Sequence, residues 1–166
     1  MKDEVCITIL NWNGLFWLKQ NLAKVLKFSQ NAKIVIIDNN SSDESISYIK
    51  QYFKSIEIIK NNNNYGFSKS YNLAIKKLKF NYFLILNNDV EVTKDFIKPL
   101  LNFLKKNKKF AVVQPKILDA NNKEKFEYSG AAGGFIDYFG IPFCRGRIGN
   151  LIEKDTGQYE KKTSIF

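Results

Sequence analysis

Histidine is absent from all 166 residues, which excludes an imidazole base, a His-ligated zinc and a Ser-His triad. Cysteine is scarce as well. Cys6 falls in an apolar run and Cys144 far downstream, a spacing that makes neither a thiolate metal site nor a disulfide framework. Arginine is confined to Arg145 and Arg147. Without an Arg-rich patch or an aromatic stacking motif of recognisable spacing, the reading is no nucleic-acid partner. No apolar run approaches the length of a membrane span. Met1-Lys2-Asp3-Glu4 leads straight into an expected strand rather than a signal peptide, so the chain reads as cytoplasmic. No G-x-G-x-x-G follows the first apolar run, and no G-x-x-x-x-G-K-S/T occurs. Both omissions speak against nicotinamide or flavin Rossmann sites and P-loop NTPases.

What the chain has in quantity is lysine. The formal net charge of +10 favours anionic partners such as nucleotide diphosphates and acidic lipid headgroups. The densest cluster, Lys105-Lys106-Asn107-Lys108-Lys109, reads as a solvated helix C-terminus. A hydrophobic fraction of 45% with 14 Phe supports a real core, and the length is that of a single domain, 1–166.

Strands and helices alternate. Val5–Leu10 is a short apolar strand, Asn11-Trp12-Asn13-Gly14 a turn, and Leu15, Leu18, Leu22, Val25 and Leu26 keep a helical period. Ile34–Asp38 is a β-branched run suited to a parallel strand covered on both faces. Ser41 with Glu44 reads as a capping box opening a helix on Ile46, Ile49 and Phe53. Ile56–Ile59 is a third strand. Phe67, Tyr71, Ala74, Ile75 and Leu78 give another helical face, Tyr82–Leu86 a fourth strand, and roughly 95–106 a helix that Pro99 must kink unless it sits near the first turn. Phe110–Gln114 and Phe126–Tyr128 are expected as two further strands, and from Gly130 onward a Gly-rich and aromatic loop. The succession predicts an α/β fold: a mostly parallel central sheet with helices on both faces.

In such a sheet ligands bind beyond the carboxyl ends of the strands. Asn11-Trp12-Asn13, Asp38-Asn39-Asn40 and Asn87-Asn88-Asp89 fall there, and Asn64-Tyr65-Gly66-Phe67 ends at a helix start that favours an anion. Asp38 can accept the imide N–H of uracil or thymine; an Asx-turn or helix cap is the alternative. Asn88 and Asp89 can hold a divalent cation, Mg²⁺ or Mn²⁺, across two phosphates. For Asn72, mid-helix, the alternative is a solvent-facing polar residue.

Ile7–Gly14, Ile36–Asp43, Asn64–Phe67 with Asn72, and Leu86–Val90 resemble, in order, the motifs of family 2 inverting glycosyltransferases of the GT-A fold. Asn-Trp-Asn-Gly and Asn-Asn-Asp are similar to the rhamnosyltransferase-like branch that builds bacterial surface polysaccharides. The resemblance implies the nucleotide-sugar-binding part of such an enzyme, with a UDP- or dTDP-activated donor and a saccharide or lipid-linked acceptor. It implies that Leu10, Asn11 and Asp38, with the adjoining Asn40, contact the nucleoside. Asn64, Gly66 and Asn72 line the same pocket, and Asp89 binds the metal; Asn88 stands where many relatives carry an acidic residue. An acidic general base is expected beyond Phe166, because Asp137, Glu153 and Asp155 qualify by residue type alone. The chain is therefore expected to be truncated on its C-terminal side. A peripheral contact at the inner face of the plasma membrane and self-association complete the expectation. The competing classes are a binding module without turnover and a nucleotidyltransferase; the latter needs a Gly-rich basic loop after strand one that Asn11–Gly14 does not supply.

Overall fold

The computed structural model describes residues 4–30, 32–127 and 131–160, and the contacts divide the chain into two compact units, Met1–Leu101 and Asn102–Phe166. In the first, β1 (Val5–Asn11), α1 (Leu15–Phe28), β2 (Lys33–Asp38), α2 (Ser45–Tyr52), β3 (Glu57–Lys60), α3 (Gly66–Ile75) and β4 (Tyr82–Asn87) follow one another. The strands form a sheet in the order β3-β2-β1-β4, and every pairing is parallel. The reversal of winding direction therefore falls between β1 and β4, where open α/β sheets form their crevice.

Alternation along β1 sets the two layers. Val5, Ile7 and Ile9 pack with Leu18, Leu22 and Val25 of α1 and Ile49 of α2 in one core, which Ile97 and Leu101 also join. Leu10 on the opposite face packs with Ile37 and with Tyr71 and Ala74 of α3. Helices thus cover both faces. Both faces of β2 are buried, as its β-branched run requires. α4 (Lys98–Lys106) begins later than expected, with Pro99 in its first turn, where a missing N–H costs nothing.

Ser41 and Glu44 do not form a capping box. α2 starts at Ser45 without a side-chain cap from Glu44, because the Ser41 hydroxyl is drawn to Asp38 instead.

In the second unit the expected strand at Phe110–Gln114 does not form. That segment has no ladder partner among the described residues: Val112 is 80% exposed, and the Phe110 ring packs on Phe103 at 5.4 Å. Phe126 forms an isolated bridge with Leu118 and is a core residue; Tyr128, the end of that expected strand, lies outside the described residues. The expected loop instead holds β5 (Gly134–Ile136), β6 (Pro142–Cys144), β7 (Arg147–Ile148) and β8 (Leu151–Ile152), an antiparallel sheet in that order. Gly130 itself lies outside the described residues.

Candidate functional site

The carboxyl ends of β1, β2 and β4 meet through side chains. Asn11 and Asp38 face each other on the last rung of the β1–β2 ladder, both fully buried, and Asn11 Nδ2 donates to Asp38 Oδ1 at 3.1 Å. The same oxygen accepts from Ser41 Oγ at 2.5 Å, and Asp38 Oδ2 accepts from the Ser41 N–H at 3.2 Å. The carboxylate is therefore turned inward to hold its own loop, in the manner of the Asx alternative.

The β1–α1 turn is fastened to the β2–α2 loop by Asn13 and Asp43. Asn13, at φ 48°, accepts from the N–H groups of Ser42 (2.8 Å) and Asp43 (3.3 Å), while its own N–H donates to Ser41 Oγ at 2.9 Å. Asp43 accepts the Leu15 N–H at 3.0 Å and the Ser45 N–H at 3.1 Å. One carboxylate thus caps the start of both α1 and α2, a favourable place for negative charge. Burial works to raise its pKa. The Ser45 hydroxyl and the Leu15 and Ser45 amides outweigh that effect and hold it below the ordinary value.

Across the crevice, Asn88 after β4 reaches back to β1. Its Nδ2 lies 3.5 Å from Asn11 Oδ1, and its backbone oxygen accepts from Asn21 Nδ2 at 3.0 Å. Gly14 sits beneath this bridge. A Cβ there would come within 2.2 Å of Asn88 Nδ2 and 2.5 Å of Asn11 Oδ1, so only glycine lets the turn pass. Tyr71 closes the other side. Its buried hydroxyl accepts the Leu10 N–H at 3.2 Å, and burial pushes its pKa up to about 12.

A second hub is Asn39, 1% exposed. Its Oδ1 accepts from Asn61 Nδ2 at 2.8 Å and from Ser70 Oγ, while its Nδ2 donates to Asn64 Oδ1 and to the Gly66 carbonyl, both at 3.1 Å. Every polar position of this amide is used, and the β3–α3 loop is thereby fixed against β2. Gly66 is exposed at φ 71°, with open space in front of its α-carbon. Its N–H is drawn to Asn64 Oδ1 at 2.9 Å.

Of the expected site residues, Leu10, Asn11, Asp38 and Asn88 thus form the floor of the crevice, and Asn40, Asn64 and Gly66 its exposed rim. Asn72 is exposed on α3, about 9 Å of helical rise beyond Gly66. Sequence reasoning placed Asn13 and Asn39 at the sheet edge without giving either a role of its own, missed Asn61 and Ser70, and gave Asp43 no role. Asp43 left a signal too, an Asp two residues before a helix start.

Asp89 stands exposed at the mouth of β4. Among the described residues no group of three or more His, Cys, Asp or Glu could hold a metal by protein ligands alone. The donor set still fits a hard cation. Mg²⁺ and Mn²⁺ keep several waters and are held by one or two carboxylates together with substrate phosphates.

Fold and crevice together define an α/β protein similar to the GT-A glycosyltransferases. The chain belongs to glycosyl transferase family 2, whose model matches residues 5–160. Over 107 residues it is 31% identical to polypeptide N-acetylgalactosaminyltransferase 4 of Caenorhabditis elegans, covering 62% of this chain and 18% of that protein. An uncharacterized glycosyltransferase of Haemophilus influenzae is 27% identical over 100 residues, 58% of this chain and 40% of that one. The chain thus spans well under half the length of these curated relatives. Staphylococcus aureus TarS in complex with UDP-GlcNAc shares the fold at TM-score 0.56 and 17% identity, over 63% of this chain and 32% of that one. So does the mannosyltransferase PcManGT of Pyrobaculum calidifontis in complex with GDP-Man and Mn²⁺, at 0.57 and 13%, over 70% and 34%.

Proposed function

We propose that this chain is the nucleotide-sugar-binding part of a rhamnosyltransferase-like enzyme of bacterial surface-polysaccharide synthesis. It transfers a sugar, with inversion, from a UDP- or dTDP-activated donor to a saccharide or lipid-linked acceptor at the cytoplasmic face of the plasma membrane. The observation that carries the reading is the crevice itself, where Asn11, Asp38 and Asn88 converge at the switch point beneath an open rim. In this reading Asp38 and Asn11 place the loop rather than touch the donor, since neither has exposed surface. Base contacts fall to the exposed Asn40 and Asn64, and the open Gly66 at the start of α3 lets a phosphate approach the helix N-terminus. Asp89 would hold a Mg²⁺ or Mn²⁺ ion, whose positive charge would offset that of the leaving diphosphate.

Calorimetric titration with UDP, dTDP and ADP, each with and without Mn²⁺, tests it. Binding of UDP or dTDP in preference to ADP is the expected result, and no binding of any diphosphate overturns the reading. A second reading, a binding module without turnover, is favoured by the carboxylates named as bases by type. Asp137 accepts the N–H groups of Phe139 and Ile141, and Glu153 accepts the Tyr159 hydroxyl at 2.7 Å. Asp155 pairs with Lys116, whose hydrogen bond holds its pKa low. Each holds local structure. Without a base, transfer is slower by about 10²–10⁴. Multiple turnover onto a saccharide acceptor would exclude the module.

A further inference from the structure

One face of the β5–β8 sheet packs in part on a small core, and the other is the more exposed, with Phe135 half-buried there and the Arg145 guanidinium 5.1 Å from its ring. Phe135 faces Phe143 and Ile148 faces Leu151 in register, while Cys144 pairs with Arg147 on the neighbouring rung. By alternation, Phe135, Phe143, Ile148 and Leu151 share one face and Cys144 the other. Cys144 packs against the small core of Phe126, Ala131 and Ala132, so the aromatic and aliphatic row points away from it. Phe143 is 47%, Ile148 73% and Leu151 77% exposed.

The β5–β6 turn continues this surface. Tyr138 and Phe139 at its tip are 96% and 84% exposed. They do not hang from a slack loop. The Asp137 N–H donates to the Ile141 carbonyl and the Gly140 N–H to that of Asp137, both at 3.0 Å. Asp137 Oδ1 also accepts the N–H groups of Phe139 at 2.9 Å and Ile141 at 2.8 Å. A closed, hydrogen-bonded turn thus presents two aromatic rings to solvent in the same sheet as the exposed Phe143, Ile148 and Leu151, the kind of surface that marks an interaction site.

We propose that this face and its tip dock on an anionic lipid bilayer, with Tyr138 and Phe139 entering the headgroup boundary and lysines meeting the headgroup phosphates. The Tyr138 ring, apolar in its body and polar at its hydroxyl, favours that boundary, and the Phe139 ring adds apolar area that the boundary buries. Charge selects the occupant. The chain carries +10 at neutral pH, so two copies repel each other, whereas an anionic surface attracts them. The same unit contains the Lys105–Lys109 cluster. The contact proposed is surface docking; among the described residues no helix is long and apolar enough to cross a membrane.

The proposal extends the membrane element of the function proposed above. UDP binding is measured on the same preparation, so either reading can fail alone. The test is co-sedimentation of the full chain with phosphatidylcholine vesicles, with and without phosphatidylglycerol, at low and high salt. Binding is expected only with phosphatidylglycerol and should weaken with salt. Tyr138→Ser and Phe139→Ser, both at solvent-exposed positions, should each lower partitioning about tenfold while leaving the circular dichroism spectrum and UDP binding unchanged. Equal partitioning of the variants, or binding indifferent to phosphatidylglycerol, overturns the proposal. So does a concentration-dependent dimer that the two substitutions dissolve, since the occupant would then be a second copy.

Discussion

Asn11 and Asp38 are partners on the final rung of the β1–β2 ladder, and their side chains join there at 3.1 Å with no exposed surface. A buried carboxylate at a strand end is costly unless hydrogen bonds replace its water. Here Asn11 and Ser41 do so. The rung consequently fixes where two loops leave the sheet, and the rim of the crevice inherits its shape from that pair.

Asp38→Ala should therefore act first on stability. It leaves the half-buried Ser41 N–H and hydroxyl without their acceptor and takes from the buried Asn11 amide one of three, Ser41 Oγ and Ser45 Oγ remaining, a cost of about 1–3 kcal/mol. Urea denaturation reads the loss. A midpoint equal to that of the parent would mean that the carboxylate is not structural.

Gly14→Ala is expected to destabilise by about 1–3 kcal/mol, because the new methyl must displace the amides of both Asn88 and Asn11. The same substitution should weaken UDP binding, since the two ends of the crevice are then pushed apart. Retained stability together with retained affinity would refute the bridge over Gly14.

Asp43 gives the fold a dependence on acid. Its pKa is lowered from 3.8 in the folded chain, so it stabilises the folded state fully above that value and loses this contribution as pH falls through the lowered one. Asp43→Asn should thus be less stable than the parent at neutral pH, and the gap should close below pH 3.8. Thermal unfolding across a pH series measures it. A gap that is constant with pH would show that charge is not what the two helix starts require.

Much of this was legible from the chain alone, for a local reason. β1, β2 and β4 are uninterrupted apolar runs, and each run's end identifies the residue at the sheet edge without any knowledge of packing. The role of Asn39 as a hub could not be found in that way. Its partners Asn61 and Ser70 lie 22 and 31 residues away, and in sequence its amide is the same as its neighbours in a polar turn. Phe110–Gln114 failed in the opposite sense, since an apolar run becomes a strand only where another strand pairs with it. β5 to β8 are two or three residues each, too short for an alternation to declare itself.

Asp89 separates recognition from folding. It is exposed, lies past the end of β4, and shares none of the contacts that bury Asp38. Asp89→Ala should leave stability within about 0.5 kcal/mol of the parent, as exposed substitutions generally do. If the carboxylate supplies the protein's hold on the cation, the variant should lose the part of UDP affinity that Mn²⁺ adds and keep the part measured in chelator. Titrations with and without Mn²⁺ on both proteins give the four affinities required. An undiminished Mn²⁺ effect in the variant would move the cation elsewhere. Equal losses with and without Mn²⁺ would make Asp89 a direct contact to the nucleotide instead.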